Sequence, residues 1–449
     1  MSQHPVHVLF PGRLVMIGFG SIGQGVLPLI LRHVGITRER ITIVAADEAG
    51  RAVAEEYGIK LMVEALTPEN YERVLDPLIA RGDFLLNVSV DVSSVALVKF
   101  CHAKGALYLD TCIEPWPGGY TDPSLSPSMR TNYALREQML TLRKAQGGGP
   151  TAVITHGANP GLVSHFVKQA LINVAADTGV DVGALASSPG TRAEWADLAA
   201  RLGVKVIHIA ERDTQVANVS KRPGEFVNTW SVDGFVSEGC QPAELGWGTH
   251  EKSLPVHGRR HEFGRQSAIY LLQPGASTRV RTWTPRAGHI HGFLITHSES
   301  ISISDYLTQG EGESPAYRPT VHYAYHPCDD AVLSIHELAG RNWRQQARKR
   351  ILMHEITEGI DELGVLLAGH ARNAYWYGSQ LSIEEARKLA PHNNATSLQV
   401  CVAVLSGLVW AIENPERGIV EPEEMDFRRN LEICLPYLGP VVGAYTDWT

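Results

Sequence analysis

Short apolar runs alternate with helical patterns through the first third of the chain. Leu14 to Ile17 has the length and composition of a buried parallel strand, and an apolar set at helical spacing follows it to about His33. The same alternation predicts strands at 41–46, 60–63, 84–88 and 106–109, and helices at 51–57, 71–79 and 93–104. A regular strand–helix alternation predicts an α/β fold with a doubly wound parallel sheet and right-handed crossovers.

The alternation weakens after Gly147 to Pro150, a short glycine and proline run that predicts a linker. Beyond it, the more frequent β-branched and aromatic residues predict a mixed α+β domain with an antiparallel sheet. Ala395 to Glu413 is strongly apolar and predicts a helix. We therefore expect three parts: a doubly wound domain at 1–155, a mixed α+β domain at 156–394, and a C-terminal helical segment at 395–449 that packs back on the first domain.

The composition narrows the class of protein. The chain has 449 residues, which is too many for a single simple core. Its 44% hydrophobic and 20% charged residues are an ordinary globular balance, so disordered and fibrous classes are excluded. The formal net charge of -8, without a basic stripe, does not fit a nucleic-acid binder. The acidic excess suits a cationic small substrate, although many enzymes share it.

The cysteines and the terminal region indicate a compartment. The 6 cysteines form no C-x-x-C pair, so neither a zinc site nor a disulfide framework is expected, and they fit the reduced thiols of a cytosolic protein. Residues 1–13 lack the pattern of a signal peptide, and no uninterrupted apolar run reaches the roughly 18 residues of a membrane span. We therefore expect a soluble, cytoplasmic protein without membrane contact.

The motif Gly18-x-Gly20-x-x-Gly23 lies between the first strand and its helix. Gly18 permits the tight turn, Gly20 lets the backbone approach a pyrophosphate, and Gly23 allows the helix to pack closely on the strand. The first helical residues, Ser21 and Ile22, present free N–H groups to the phosphates. This context predicts a Rossmann domain that binds a dinucleotide cofactor.

Asp47 follows the second strand and could accept hydrogen bonds from the adenosine ribose hydroxyls. A carboxylate there repels a 2′-phosphate, so NAD is favoured over NADP. Glu48 is adjacent and could take the same role, and the ordinary alternative for both is a solvated surface acid.

Two loops place small polar groups at the carboxyl ends of strands, where open α/β sheets bind ligands. Asn87 and Ser89 follow the fourth strand, with Asp91 further out, and Thr111 follows the fifth strand, with Glu114 further out. These groups would reach a nicotinamide ribose. Alternatively, they cap the local backbone, as such residues often do in loops.

The stretch from His156 to Leu162 joins the expected domains. Asn159 suits a helix N-cap and Pro160 suits the first helical position. A helix that begins at the domain border would direct its N-terminus into the cleft. The capping role and a functional role for Asn159 are compatible.

Several motifs in order along the chain resemble bacterial homospermidine synthases, within the wider saccharopine dehydrogenase-like group. The stretches that carry the resemblance are 18–25, 109–116, 157–161, 210–215, 227–235, 241–250 and 359–364. They span nearly the whole chain, and those of the second half are far more specific than the glycine motif. Related carboxynorspermidine and saccharopine dehydrogenases share the first part but lack the run from Trp230 to His250.

The resemblance implies a redox-neutral reaction in which NAD is tightly bound and recycled. Two putrescine molecules would give sym-homospermidine and ammonia, and spermidine could replace one putrescine with release of 1,3-diaminopropane. It also implies a homodimer, with the second domain holding the substrate and the dimer contacts.

The resemblance further implies which side chains meet the substrate, a dication at neutral pH. Trp230 would offer its ring face to the far ammonium, with Glu238 beside it, and Glu211 would bind an amine. The other residues implied, on the nicotinamide side and in the pocket, are Asp91, Glu114, Asn159 and His297. The reacting amine must lose a proton, and the group that accepts it stays open.

Each of these assignments has an alternative in the sequence itself. Trp230 lies in an alternating stretch, 226–235, and could be a core strand residue, while the glutamates could be surface acids. His297 could be an ordinary core histidine. Together with His289 and His291 it invites a metal interpretation, but no cysteine or acid pair completes such a site, and no metal is expected.

Two other functions compete with a diamine-joining enzyme. An NADPH-dependent reductase of a carboxylated polyamine imine, like carboxynorspermidine or saccharopine dehydrogenase, would need an arginine clamp for the carboxylate. A non-enzymatic regulator that binds NAD or a polyamine on the same fold would bind ligand without turnover.

Overall fold

The computed structural model describes residues 4–310 and 314–449. Its α-helices are α1 (Ser21–His33), α2 (Arg51–Glu56), α3 (Tyr71–Leu75), α4 (Ser94–Lys104), α5 (Asn132–Gln146), α6 (Leu162–Thr178), α7 (Arg192–Leu202), α8 (Val232–Cys240), α9 (Ser298–Tyr306), α10 (Asp329–Gly340), α11 (Ile383–Leu389), α12 (Ala395–Glu413) and α13 (Phe427–Cys434). Its strands are β1 (Val8–Leu9), β2 (Leu14–Ile17), β3 (Val34–Gly35), β4 (Ile41–Ala45), β5 (Lys60–Val63), β6 (Phe84–Asn87), β7 (Leu107–Asp110), β8 (Ala152–Val153), β9 (Val206–Asp213), β10 (Val216–Ala217), β11 (Glu225–Asn228), β12 (Pro242–Gly246), β13 (Gly258–Arg260), β14 (Ala268–Pro274), β15 (Arg279–Thr284), β16 (Gly288–Phe293), β17 (Thr320–His326), β18 (Arg348–Ile351), β19 (Ile356–Glu358), β20 (Ile360–His370), β21 (Asn373–Ser382), β22 (Ile419–Val420) and β23 (Val441–Thr446).

The first part of the chain forms a parallel sheet of seven strands in the order β22-β8-β7-β6-β2-β4-β5. The strand order reverses beside β2, which is the arrangement of a doubly wound dinucleotide-binding fold. All residues of β2, β6 and β7 are buried, because helices cover both faces of the sheet. The predicted α/β class with a doubly wound sheet is confirmed.

A mixed sheet of ten strands forms the second part, with the path β13-β14-β12-β17-β9-β20-β21-β23 and the hairpin β15–β16 attached beside β17. β17 and β9 are parallel, and the other neighbours along the path are antiparallel. α6 packs against β20 and β21. It begins at Leu162 with Gly161 as its N-cap, so the expected helix start, with Asn159 as N-cap and Pro160 as first helical residue, was wrong. The predicted mixed α+β architecture of this part is thus confirmed. The expectation of an antiparallel sheet was wrong at the centre, where β17 and β9 run in parallel.

The strand and helix bounds of the parallel domain follow the apolar runs closely. β2 and β5 have the predicted bounds, and the other predicted strands differ by a residue or two. The helix predicted at 71–79 ends earlier, because α3 stops at Leu75 and a turn brings Ile79 into the core.

The C-terminal segment contains more than helices. α12 forms over the predicted residues and packs against α1, β7 and α13. However, β22 extends the parallel sheet beside β8, and β23 joins the mixed sheet beside β21. The description of 395–449 as a helical segment was therefore incomplete, since short edge strands carry little signal in the sequence. The division into three parts stays a prediction.

α12 is long and apolar enough to cross a membrane by length and composition alone, with a mean hydropathy of 1.9. In the fold, 89% of that apolar window is buried against other elements. Such burial is typical of the central helix of a globular core.

α1 and α12 approach closely at Gly25. A Cβ at this position would lie 2.4 Å from Asn393 Oδ1 and 2.8 Å from Cys401 Sγ. Asn393 Nδ2 donates to the Gly25 carbonyl oxygen at 3.1 Å. Gly25 therefore allows α12 to pack closely against α1, the helix next to the glycine loop.

We expect Gly25→Ala to lower the free energy of unfolding by about 1–2 kcal/mol, because overpacking outweighs the better helix propensity of alanine. Gly340→Ala is the matched control, since Gly340 is an exposed helical residue and none of the described atoms lies within 4 Å of a Cβ placed there. Chemical denaturation measures both variants. Equal stabilities for the two would contradict the close contact.

Candidate active site

A cavity of about 580 Å³ opens at the carboxyl ends of β2, β4 and β6 and reaches the mixed sheet. This is the edge where a doubly wound sheet binds its ligand, beside the reversal of strand order. The predicted residues that line it are Gly18, Gly20, Ser21, Ile22, Asp47, Ser89, Asp91, Thr111, Glu114, Asn159, Glu211, Trp230, Glu238 and His297. Residues predicted from both halves of the chain thus meet around one space, whereas Gly23 and Asn87 lie behind its wall.

The glycine loop has the geometry of a phosphate cradle. Gly18 has φ +86°, and a Cβ there would lie 2.8 Å from Ser89 Cα. A Cβ at Gly23 would lie 2.8 Å from the Gly18 carbonyl oxygen, so this residue lets α1 pack against the loop. None of the described atoms lies within 4 Å of a Cβ at Gly20, which faces open cavity space.

The N-terminus of α1 is available to a ligand as well. Gly20 is its N-cap, and in the described part of the chain no side chain caps this helix. Ser21 and Ile22 line the cavity there. Free N–H groups and the positive end of the helix dipole therefore face the space, and these residues fit a dinucleotide pyrophosphate.

Of the two acids after β4, Asp47 lines the cavity and Glu48 turns away. Asp47 Oδ1 accepts from the Ala49 N–H at 2.9 Å. Glu48 instead forms an exposed ion pair with Arg51 at 2.8 Å. The placement favours Asp47 as the acid that would meet a ribose.

Asn87 lies at the end of β6, where it is buried and supports the loop rather than lining the cavity. Its Oδ1 accepts from Ser89 Oγ at 2.6 Å and from the Ser89 N–H at 3.2 Å. Ser89 and Thr111 face the cavity from neighbouring strand ends. The local capping role expected as the alternative for Asn87 is the one that this geometry shows.

Carboxylates surround the inner part of the cavity, contributed by Asp91, Glu114, Glu211 and Glu238. Among the lining residues in the described ranges there is no Lys or Arg. Burial raises the pKa of Glu114 to about 7, and burial together with Asp233 raises the pKa of Asp91. The site therefore holds more carboxyl groups than it can keep charged unless a cation enters.

Glu211 lies on β9 and is buried at the floor of the site. Its Oε2 accepts from Tyr323 Oη at 2.5 Å and from Asn159 Nδ2 at 3.1 Å. Burial, with the charge of Asp213 beside it, raises the pKa of Glu211 well above that of an ordinary glutamate. A carboxyl group of this kind can exchange a proton near neutral pH.

His297 lies between two carboxylates. Its Nε2 is 3.0 Å from Glu238 Oε2, and its Nδ1 is 3.3 Å from Glu299 Oε1. Although burial opposes the charged imidazole, Glu299 and Glu238 hold the pKa of His297 well above its usual value. The three side chains form a row, carboxylate–imidazolium–carboxylate, with one net negative charge.

Trp230 lies between elements, so the alternative of a core strand through 226–235 is wrong. β11 ends at Asn228, and α8 begins at Val232 after Ser231, whose Oγ accepts from the Gly234 N–H at 3.1 Å. The apolar residues that alternate after Trp230 pack from a helix and not from a strand.

The Trp230 ring is half-buried and lines the cavity. Its Nε1 donates to Tyr325 Oη at 3.3 Å, and its ring centroid is 5.4 Å from that of Phe235. These contacts orient the ring and leave part of it facing the cavity.

The imidazoles that invited a metal interpretation are not gathered together. His289 and His291 are exposed on β16, whereas His297 is buried in the cavity wall. Within 4–310 and 314–449, no group of three or more His, Cys, Asp or Glu side chains is placed to hold a metal ion.

Several lining or supporting groups escaped the sequence prediction, among them Glu64, Cys112, Glu299 and Tyr323. Glu299 is two residues from His297, so its position in the first turn of α9 was a usable signal. Tyr323 had none, because it reaches Glu211 only through the parallel pairing of β17 with β9. Cys112 Sγ lies 3.3 Å from Glu114 Oε1.

Comparison with protein families gives two matches that together cover most of the chain. Residues 14–153 match the saccharopine dehydrogenase NADP binding domain, and residues 157–446 match the saccharopine dehydrogenase C-terminal domain.

The curated relatives are homospermidine synthases. That of Blastochloris viridis is 57% identical over 453 residues, which cover 100% of this chain and 94% of the relative. That of Mesorhizobium japonicum is 53% identical and covers 99% of this chain and 92% of the relative. A solved structure of homospermidine synthase from Legionella pneumophila in complex with NAD is 51% identical, has a TM-score of 0.91, and covers 98% of this chain and 93% of that chain.

We expect Glu299→Gln to lower the pKa of His297, because it removes the charge of a buried carboxylate next to the ring. Side-chain NMR of the imidazole across a pH series measures this shift. Glu48→Gln is the control, since Glu48 pairs with Arg51 on the surface. An unchanged His297 titration in Glu299→Gln would contradict the ion-pair row.

The raised pKa of His297 also determines how the stability of the fold changes with pH. The ion pair stabilises the fold fully below the unfolded pKa of histidine, about 6.5, and this contribution is lost as pH rises through the raised folded pKa. Glu299→Gln should therefore destabilise the protein most at acidic pH and least at alkaline pH.

Proposed function

Because the chain belongs to the homospermidine synthases of the saccharopine dehydrogenase family, we propose that it joins two putrescine molecules to give sym-homospermidine and ammonia. Spermidine is the other amine donor in this proposal, with 1,3-diaminopropane as the released product. The reaction is redox-neutral overall, and the bound NAD is recycled.

The observation that carries this proposal is the charge of the cavity. Asp91, Glu114, Glu211 and Glu238 line it, and the lining residues described in the structure include no Lys or Arg. A polyamine dication would neutralise these carboxylates, whereas a substrate with its own carboxylate would be repelled. The same observation speaks against a reductase of a carboxylated polyamine, since that function needs an arginine clamp.

The residues present fit NAD at the other end of the cavity. The pyrophosphate would lie at Gly20 and the N-terminus of α1, and the adenosine ribose at Asp47, whose charge would repel the 2′-phosphate of NADP. Ser89, Thr111 and Asn159 would hold the nicotinamide half. When bound, NAD supplies a reversible hydride acceptor for the carbon next to the reacting amine.

Glu211 is the group that we assign to the amine proton. The reacting amine has the high pKa of an alkyl ammonium and must become neutral before it reacts. Glu211 is buried, has a raised pKa, and keeps one carboxyl oxygen free of the Tyr323 and Asn159 bonds. Asn159 thus orients the Glu211 carboxylate from the nicotinamide side. The other carboxyl oxygen of Glu211 receives the proton of the amine.

The far ammonium of the diamine would lie against the Trp230 ring with Glu238 beside it. A cation over an indole face gains about 0.5–2 kcal/mol, and more when it is desolvated. Glu238 is already paired with His297, and Glu299 on the other side of the ring keeps the row net negative. The row therefore attracts an ammonium instead of repelling it.

The cytoplasmic location and the homodimer belong to this proposal as well. The six free cysteines are compatible with a reducing compartment.

The test is turnover of putrescine alone by the purified protein with substoichiometric NAD, with products read by mass spectrometry. We expect homospermidine and ammonia well beyond the amount of NAD, without accumulation of NADH. Absence of homospermidine, with NAD bound, would overturn the synthase function. Turnover of a carboxylated imine with NADPH would instead establish the reductase alternative.

We expect Trp230→Ala to raise the KM for putrescine about 2- to 30-fold, which is the loss of one cation–π contact. Trp230→Phe should recover part of the loss because a smaller ring face remains. Trp448→Ala is the control, since Trp448 packs with the mixed sheet away from the cavity. Steady-state kinetics at saturating NAD decides this, and a KM for Trp230→Ala no higher than that of the control would disprove the ammonium site.

A further inference from the structure

Asp110 is a buried carboxylate behind the cavity, at the carboxyl end of β7 and directly before Thr111. Both of its carboxylate oxygens accept hydrogen bonds, one from Tyr108 Oη at 2.8 Å and the other from the Thr155 N–H at 2.7 Å. Each of these bonds leads to a different loop of the cavity wall.

The first bond leads to the Ser89 loop. Tyr108 Oη, which donates to Asp110, accepts from Asn87 Nδ2 at 3.4 Å. Asn87 in turn holds Ser89 through its Oδ1 at 2.6 Å. A chain of buried side chains therefore connects Asp110 on β7 to the loop after β6, which faces the glycine loop at Gly18.

The second bond leads to the loop that carries Asn159. Thr155 has φ +59°, a left-handed conformation that a β-branched residue adopts only when the surroundings enforce it. Asp110 receives the Thr155 N–H, and its main-chain oxygen receives the His156 N–H at 2.8 Å. The chain then runs directly into 157–160, which lines the cavity.

We propose that Asp110 is a positioning residue that fixes the Ser89 loop and the 157–160 loop on either side of Thr111, so that the cofactor and the reacting amine are aligned. The inference rests on the proposed function because these loops are the ones assigned to the nicotinamide half and to Glu211. Asp110 itself contacts neither ligand and acts only through Tyr108 and Thr155.

The charge of Asp110 matters to this role. A carboxylate accepts from both donors at once, whereas an amide accepts from one and presents an N–H to the other. Burial raises the pKa of Asp110 to about 7, so the ionised acceptor form is complete only above neutrality. A hydrogen bond to a buried carboxylate is also stronger than one between neutral groups.

Two variants separate the two branches. Tyr108→Phe breaks only the branch to Ser89, and we expect the Kd for NAD to rise about tenfold with a smaller fall in kcat at saturating NAD than in Asp110→Asn. Asp110→Asn disturbs both branches, and we expect a similar rise in Kd together with a fall in kcat at saturating NAD of about tenfold or more, because Asn159 and Glu211 lose their alignment. Calorimetry gives Kd, and initial rates give kcat.

Tyr133→Phe is the matched control for loss of a buried hydroxyl. Tyr133 Oη donates to the Phe263 carbonyl at 2.6 Å and accepts from the Gln266 N–H at 2.8 Å, away from the cavity. It should lower the melting temperature without changing the Kd for NAD. This comparison separates positioning from a general loss of stability.

Failure of the positioning role can be distinguished from failure of the proposed function. If the wild-type protein binds NAD and Tyr108→Phe binds it as tightly as Tyr133→Phe does, the positioning role is overturned, even where Asp110→Asn fails to fold. The positioning role is supported if Tyr108→Phe raises the Kd for NAD and Tyr133→Phe does not. If the wild-type protein does not bind NAD, the proposed function itself is overturned.

Discussion

Desolvation of carboxylates is the interaction on which the rest of the site depends. Each buried carboxyl group must be neutral, hydrogen-bonded or paired, because an isolated charge is costly in a low-dielectric interior. The structure uses all of these means: Tyr323 and Asn159 donate to Glu211, and His297 carries a charge between Glu238 and Glu299. A cationic substrate would balance the remaining negative charge of these carboxyl groups. Substrate binding would therefore be coupled to their protonation.

The fold supplies this arrangement because both large sheets contribute residues to one cavity. The doubly wound sheet ends its strands at the cavity and contributes the glycine loop and the acids after β4 and β7. The mixed sheet contributes Glu211 from β9, and the residues just before α8 and α9 bring Trp230 and His297 to the same space. α12 packs on α1 from the other side and ties the C-terminal part of the chain to the cofactor domain. The proposed cofactor end and amine end thus lie in one cavity.

Local patterns could be read from the sequence because their physical cause is local. The apolar run of β2 and the glycines at 18, 20 and 23 gave the correct elements, since strand burial and close backbone approach need particular residues at particular positions. The stretch 226–235 was ambiguous because an alternating run of few residues fits a strand as well as the start of a helix. β22 and β23 carried too short or too weak a pattern, and their pairing partners lie far away along the chain.

The sequence by itself determined the class of fold and the dinucleotide loop, because these depend on composition and spacing within single elements. The residues expected to meet a dication came instead from the resemblance to homospermidine synthases. Only the tertiary structure decided which of them meet. It turned Asp47 into the cavity and Glu48 out of it, placed Asn87 behind the wall, and brought Tyr323 to Glu211 and Glu238 to His297. Hydrogen-bond partners, and the pKa shifts that follow from burial, arise from contacts between distant segments, and spacing along one chain does not encode them.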